Sequence, residues 1–146
     1  MPESPIFMLS KKDIIEKVKS LNFPENSYIV FGSGPLAILE IREVNDIDML
    51  VSKEMYVKLE KFGWKKIYKS QNDESLAYDI FEAYDNWNFG AYSPTLPELL
   101  SRAIKIDGVY FASLEDVQKW KTISGRPKDI KDLELIDKYL HKLNGV

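Results

Sequence analysis

The chain has 146 residues, 45% of them apolar, and its 20 basic and 23 acidic side chains give a net charge of −3. This length suits one hydrophobic core and predicts a single domain over residues 1–146. The charge argues against a surface that grips nucleic acid as a whole. The absence of cysteine excludes disulfides, thiolate metal sites and a cysteine nucleophile. No apolar run has the length of a membrane span and no signal-peptide pattern begins the chain, so we expect a cytoplasmic protein without a membrane partner.

The first half of the chain alternates predicted helices and strands. Ser10 and Asp13 have the spacing of a capping box, and Pro35 suits the first position of a helix. The predicted elements, in chain order, are a helix over 11–21, a strand over 28–31, a short helix over 35–42, a strand over 47–51 and a helix over 53–62.

The second half is richer in strands and ends in helices. Asp107-Gly108 lies between two β-rich flanks, which is a strong hairpin signal. The predicted elements are a strand over 64–69, a polar loop over 71–75, a strand over 76–84, a helix over 96–103, a hairpin over 104–111, a helix over 114–123 and a long helix from Pro127. Apolar residues predict the buried side of that last helix: Ile130, Leu133, Ile136, Leu140 and Leu143. Together these elements predict an α/β (α+β) fold, with a mixed sheet flanked by helices and two helices closing the C-terminus.

Two carboxylates are the first candidate functional residues. Asp46 and Asp48 alternate at the start of a predicted strand, so they lie on one face of it. Two such charges repel each other unless a cation lies between them. A solvated strand face near a turn would explain them without a function, but Asp is disfavoured in strands. Magnesium, which binds one or two carboxylates together with substrate phosphates, fits them best.

A small turn precedes these acids in the sequence. Gly32 and Ser33 follow a buried strand and open a short helix, whose free N–H groups favour an anion. Glycine lets a ligand approach the backbone, and the serine hydroxyl can donate to a phosphate oxygen. Glycine is also routine in strand-to-helix turns, so the signal comes from its order along the chain: Gly-Ser, helix, Asp-x-Asp.

This order resembles the motif of the DNA polymerase β-type nucleotidyltransferase superfamily. The motif is a hydrophobic residue with Gly-Ser, about a dozen residues, and then acid-hydrophobic-acid, which here is Phe31-Gly32-Ser33 followed by Asp46-Ile47-Asp48. The C-terminal third, with Lys121, the run Gly125-Arg-Pro-Lys-Asp129 and Asp132, is similar to small bacterial and archaeal members that include AbiEii-type toxin nucleotidyltransferases. The resemblance covers about 20–51 and 112–140, and it implies a minimal nucleotidyltransferase-like domain.

The resemblance also implies a set of site residues. Family members carry a third carboxylate on a later strand, antiparallel to the second, and Asp79 is our choice for it, with Glu82 as the rival. Asp46, Asp48 and Asp79 would then hold two Mg²⁺ ions, with Mn²⁺ as an alternative. Gly32 and Ser33 would cradle the phosphates.

Positive charge for a triphosphate is expected from the C-terminal third. The resemblance favours Lys121 and Arg126 for this role, whereas Lys128 could pair with Asp132 at i,i+4. Asp129 and Asp132 fall in the first turns of a helix, where the dipole favours acids, and we interpret them as structural. The three tryptophans, Trp64, Trp87 and Trp120, are more typical of core packing than of base stacking.

The implied activity is transfer of a nucleoside monophosphate from a nucleoside triphosphate to a hydroxyl. The acceptor stays open between RNA, such as a tRNA end, a small molecule and a protein side chain. Because the domain is small, the acceptor site could require a partner, such as a cognate antitoxin, or a second copy of the chain in a homo-oligomer. The alternative is a non-catalytic nucleotide- or protein-binding module on the same fold.

Overall fold

A computed structural model of the chain describes residues 8–70 and 73–145. The helices are α1 (Lys11–Leu21), α2 (Gly34–Ile38), α3 (Lys53–Lys61), α4 (Leu96–Ser101), α5 (Leu114–Ser124) and α6 (Pro127–Leu143). The strands are β1 (Tyr28–Phe31), β2 (Ile47–Val51), β3 (Lys65–Ser70), β4 (Asp73–Tyr78), β5 (Phe81–Tyr84), β6 (Ile104–Ile106) and β7 (Val109–Phe111). None of the helices described combines the length and the apolar character that crossing a membrane requires.

The strands form one mixed sheet of seven strands in the order β3-β4-β5-β2-β1-β7-β6. Strand β1 is antiparallel to β2 and parallel to β7. Strand β2 is in turn parallel to β5, with Asp48 opposite Glu82. All four residues of β1 are buried, as expected for a strand at the centre of the sheet. The predicted α+β fold, a mixed sheet with flanking and C-terminal helices, is confirmed.

Two hydrophobic clusters cover the two faces of the sheet. Alternate residues of β1 enter different clusters, with Val30 on one face and Phe31 on the other. Helices α1 and α3 pack on the Val30 face, through buried residues such as Ile14 and Met55. Helices α4, α5 and α6 supply residues to the Phe31 face. Strand β2, which carries Asp48, is therefore held between two packed layers.

The local signals of the sequence are confirmed at several ends of elements. Helix α1 spans the predicted residues and begins with the Ser10–Asp13 capping box. The hairpin of β6 and β7 turns at Asp107 and Gly108, both of which have positive φ. Helix α6 begins at Pro127 as predicted. Each of these features depends on residues within a few positions of one another.

Four expectations about the elements are wrong. The predicted strand over 76–84 is two strands, because Asp79 adopts a φ of +54° and turns the chain back after Tyr78. The strand that carries Glu82 is parallel to β2, where we expected an antiparallel one. The short helix predicted over 35–42 ends at Ile38. Of the predicted loop over 71–75, residues 73–75 belong to β4, and 71–72 lie outside the described residues.

The buried side of α6 also differs from the prediction. Ile130 and Leu143 are 52% and 64% exposed, whereas Asp129 and Asp132 are buried together with Ile136. A carboxylate is buried only where cations and hydrogen-bond donors compensate it. Two acids on the packed side of a helix therefore indicate that cations or hydrogen-bond donors from other elements pair with them.

Candidate functional site

A cleft of about 750 Å³ opens where β2 and β5 meet the start of α2 and the junction of α5 and α6. Its lining includes most of the residues that the sequence singles out: Ser33, Asp46, Asp48, Lys121, Arg126 and Lys128. Glu82, the rival third carboxylate, also lines it, together with Arg42, Lys69, Trp87 and Trp120. Acidic side chains from β2 and β5 face basic side chains from α5, α6 and the segment between them.

Asp46, Asp48 and Glu82 form what we call the carboxylate side of the cleft, and Asp73 and Glu74 of β4 line the cleft as well. Asp46 directly precedes β2 and is exposed, and Asp48 lies within the strand. Neither carboxylate has a hydrogen-bond donor or an ion-pair partner among residues 8–70 and 73–145. Burial, followed by the negative charges of Asp46 and Glu82, raises the pKa of Asp48 to about 7. The fold therefore holds Asp48 where its charge is unfavourable without a cation.

Gly32 is packed directly against Asp48. Its φ is +62°, a conformation that favours glycine, and a Cβ at this position would lie 2.7 Å from Asp48 Oδ2. The next glycine, Gly34, is equally confined, since its Cβ would lie 2.5 Å from a methyl carbon of Val30. The Gly-Ser-Gly turn thus brings the backbone of the α2 entrance against the carboxylate side of the cleft.

Ser33 connects this turn to the cationic side of the cleft. Its Oγ accepts hydrogen bonds from Arg42 Nη2 at 3.0 Å and from Lys121 Nζ at 3.1 Å. Because two cations donate to that oxygen, the hydroxyl hydrogen is directed away from both of them. Ser33 is therefore oriented as a hydrogen-bond donor beside the positive charges.

The two cations that hold Ser33 are themselves held by buried acids. Arg42 donates to both oxygens of Asp132, at 2.7 and 2.8 Å, and Lys121 donates to Asp132 at 2.9 Å and to Asp129 at 3.5 Å. Lys121 is 1% exposed. We refer to Arg42, Lys121, Asp129 and Asp132 as the paired cluster. It explains why acids occupy the packed side of α6, and it leaves Asp132 bonded to Arg42 and Lys121 instead of Lys128.

Two exposed positive charges, Arg126 and Lys128, line the cleft at the start of α6. Arg126 is half exposed and donates to both oxygens of Asp129, at 2.7 and 3.1 Å. Its guanidinium also lies 5.7 Å from the centre of the Trp120 ring. Lys128 is exposed and lines the cleft. Lys121, expected to contact a triphosphate, is instead enclosed behind Ser33.

The structure does not bring Asp79 to the cleft. Asp79 lies in the turn between β4 and β5, and its carboxylate bonds to Lys17 of α1 at 3.2 Å. Glu82, three residues later, lies opposite Asp48 in the parallel pairing of β2 and β5. The choice between these two acids depended on whether one strand or two spanned 76–84, which no local signal decided.

Lys69 is the cation of the carboxylate side. Its Nζ lies 2.9 and 3.0 Å from the two oxygens of Glu82 and donates to the Tyr84 hydroxyl at 3.2 Å. Burial opposes the charged form of Lys69, but these hydrogen bonds outweigh burial and raise its pKa. The same contacts, with a hydrogen bond from Ser75, outweigh the burial of Glu82 and lower the pKa of that carboxyl.

Two of the residues that build this site were missed at the sequence level. Arg42 precedes the acidic motif by only four positions, and that nearness is a signal that could have pointed to it. No local signal identifies Lys69, since β3 contains three other polar residues besides it. The tryptophans are buried as expected, and the Trp87 and Trp120 indole nitrogens have no hydrogen-bond partner among the described residues.

Comparisons of the chain with protein-family models, with curated proteins and with solved structures found no match.

Proposed function

We propose that the chain is a magnesium-dependent nucleotidyltransferase that moves a nucleoside monophosphate from a nucleoside triphosphate to a hydroxyl acceptor. The observation that carries the proposal is the division of the cleft. Asp46 and Asp48, which have no hydrogen-bond donor or ion-pair partner in the described part of the chain, line the same opening as the exposed cations Arg126 and Lys128. A triphosphate with a divalent cation has the complementary arrangement of charge. The resemblance of the Gly-Ser and Asp-x-Asp motifs to nucleotidyltransferases supports the same assignment.

Asp46 and Asp48 fit a divalent cation. Both supply oxygen ligands, which Mg²⁺ and Mn²⁺ prefer. The negative charge of Asp48 is repelled by those of Asp46 and Glu82, and a bound cation would offset this repulsion. A divalent cation bound there would stabilise the negative charge that develops on the phosphoryl oxygens. Glu82 takes the place beside them that the sequence assigned to Asp79.

The phosphate-binding role falls to the opposite wall. The Ser33 hydroxyl, held by Arg42 and Lys121, donates to a phosphate oxygen, and Arg126 and Lys128 neutralise the outer phosphates. Lys121 acts through Ser33 without contacting the substrate. In the reaction, the acceptor oxygen bonds to the α-phosphorus as the bond to the β-phosphate bridging oxygen breaks. The hydroxyl proton passes to a carboxylate of the cleft, and pyrophosphate leaves.

Nucleotide binding is tested by thermal unfolding with each of the four ribonucleoside triphosphates, with and without Mg²⁺. A ligand at 100 times its dissociation constant stabilises a protein by about 2.7 kcal/mol, which raises the Tm of a domain of this size by about 5–10 °C. We expect a Mg²⁺-dependent shift in the wild type and none in the double variant Asp46→Asn/Asp48→Asn. No shift with any nucleotide would contradict the proposal and favour a protein-binding module.

The third carboxylate is tested in the same assay. Glu82→Gln should reduce the Mg²⁺-dependent nucleotide shift, whereas Asp79→Asn, the matched control in a turn outside the cleft, should leave it unchanged. Transfer itself is followed with α-³²P-labelled nucleotide and RNA ending in a free 3′-hydroxyl, which is the acceptor class we propose to try first. A magnesium-dependent shift without transfer to RNA would leave nucleotide binding intact and redirect the search to a small molecule, a protein side chain or an acceptor presented by a partner.

A further inference from the structure

Lys69 reaches the carboxylate side of the cleft from the edge of the sheet. Strand β3 is the outermost strand, and β4 separates it from β5, which carries Glu82. The Lys69 ammonium contacts both oxygens of Glu82, at 2.9 and 3.0 Å, and donates to Tyr84 two residues further along β5. The ammonium therefore has two separate anchors on the strand that adjoins Asp48.

Glu82 differs from its two acidic neighbours in being fully compensated. Besides the two contacts with Lys69, its Oε1 accepts a hydrogen bond from the Ser75 hydroxyl at 2.7 Å. Glu82 is 16% exposed at the side chain, and both of its oxygens have a donor. Asp46 and Asp48 have no such donor among the described residues. Of the three carboxylates that β2, the residue before it and β5 bring together, only Asp46 and Asp48 thus lack a counter-ion among the described residues; Asp73 and Glu74 line the cleft from β4.

We propose that Lys69 is a permanent cation of the site, so that the carboxylate side takes one divalent ion, at Asp46 and Asp48, where the resemblance implies two. The inference rests on the proposed function and concerns how many ions that function uses. A second divalent ion on Glu82 would have to displace an ammonium that already contacts both carboxylate oxygens, or lie beside it against charge repulsion. Among residues 8–70 and 73–145, no three acidic or histidine side chains form a group that could hold a metal ion.

The number of bound ions is the direct test. Mn²⁺ alone is titrated into the metal-free protein, and the free ion is measured by electron paramagnetic resonance, with equilibrium dialysis as a second count. We expect one Mn²⁺ per chain in the wild type and two in Lys69→Met, which keeps the aliphatic stem and removes the charge. Lys69→Arg keeps the charge and should keep the count at one. Asp46→Asn/Asp48→Asn should lose the ion of the wild type.

Lys66 supplies the matched control. It lies on the same strand, is also partly exposed and is paired with Glu60 at 3.1 Å, but it does not line the cleft. Lys66→Met should therefore bind one Mn²⁺, as the wild type does. Thermal unfolding in EDTA verifies that each variant folds, and Mn²⁺ should raise the Tm of Lys69→Met more than that of Lys66→Met.

The possible outcomes distinguish a failure of the role proposed for Lys69 from a failure of the proposed function. Two ions in the wild type overturn the role of Lys69 and leave the nucleotidyltransferase proposal standing, whether or not Lys69→Met folds. One ion in both the wild type and a folded Lys69→Met also overturns it, because Lys69 would then not determine the count. No ion in the wild type, with no effect of the double aspartate variant, contradicts the metal site itself and with it the proposed function.

Discussion

Two pairs of aspartates lie on either side of the Gly32-Ser33 turn, and they differ in their counter-charges. Asp129 and Asp132 are bonded to cations, whereas Asp46 and Asp48 have no ion-pair partner among the described residues. Burial opposes the charged forms of Asp129 and Asp132, but hydrogen bonds outweigh burial at both residues. The hydrogen bonds of Asp129, chiefly those from Arg126, lower its pKa to about 2. The hydrogen bonds from Arg42 and Lys121 lower the pKa of Asp132. Across the turn, burial and the charges of Asp46 and Glu82 raise the pKa of Asp48 to about 7. All four residues are aspartates, and the more deeply buried pair, Asp129 and Asp132, is the one with the lowered pKa values, so the cations around it make the difference.

The comparison distinguishes a set of charges that is paired within the fold from a site that we propose binds a cation. The paired cluster ties α5 and α6 to the entrance of α2 and is complete without a ligand, so it contributes to the native state as it stands. Asp48 has no hydrogen-bond donor or ion-pair partner among the described residues, and its burial makes the charged form unfavourable for stability. Strongly shifted pKa values are concentrated at functional sites, and we propose that a bound cation supplies the counter-charge here.

The largest effect should come from breaking the paired cluster. Asp132→Asn removes the carboxylate that bonds to both Arg42 and Lys121 and leaves a lysine that is 1% exposed with one distant acid. Breaking a buried pair on one side costs about 3 kcal/mol or more. Urea unfolding at pH 7 measures the loss. Asp137→Asn, on the exposed side of the same helix, should change stability by less than about 0.5 kcal/mol, and equal effects of the two variants would contradict the distinction.

A stabilising effect is expected from removing the charge of Asp48. In the unfolded chain this carboxyl ionises near pH 3.8, and in the folded protein near pH 7. Between these values the folded state holds a proton that the unfolded state has lost, so this group's contribution to stability falls as the pH rises and is constant above about pH 7. The difference in pKa corresponds to about 4 kcal/mol, which solvent screening of this half-buried side chain reduces. Asp48→Asn should therefore be more stable than the wild type by about 2 kcal/mol at pH 8 and by almost nothing near pH 4.

Thermal unfolding in EDTA at the two pH values checks this prediction. Asp79→Asn is the control, since it removes an exposed ion pair with Lys17 and should cost less than about 1 kcal/mol. A variant Asp48→Asn that is less stable than the wild type at pH 8 would show that the carboxylate is compensated in solution.

The smallest effect concerns the contact between the turn and Asp48. Gly32→Ala and Gly63→Ala both place a side chain at positive φ, which costs about 1–2 kcal/mol, but only the Gly32 Cβ meets an obstacle, at 2.7 Å from Asp48 Oδ2. Gly32→Ala should therefore lose about 1 kcal/mol more than Gly63→Ala in urea unfolding. It should also weaken Mn²⁺ binding, which Gly63→Ala should not. Equal losses would mean that the contact with Asp48 relaxes freely.

The parts of the site that the sequence predicted are those with a local signal. Gly32 and Ser33 end a strand and open a helix, and Asp46 and Asp48 begin the next strand, so their order along the chain places them together. Glu82 was only an alternative, because the turn at Asp79 comes from a single residue in a left-handed conformation within an apolar run. Lys121 was expected to face the substrate. Its burial depends on Asp129 and Asp132 of α6, which we had interpreted from the sequence as acids favoured by the helix dipole.

The sequence by itself determined the fold class, the ends of most helices and the acidic motif, because caps, turns and alternation act over a few residues. The tertiary structure alone decided which charges are neutralised. Arg42 meets Asp132 across 90 positions of the chain, Lys121 meets Ser33 across 88, and Lys69 meets Glu82 from a strand two places away in the sheet. The energy of a charge depends on its burial and on the counter-charges within a few ångströms. No spacing along the sequence specifies those neighbours, and they separate the aspartates that are paired with cations from those that have no counter-ion among the described residues.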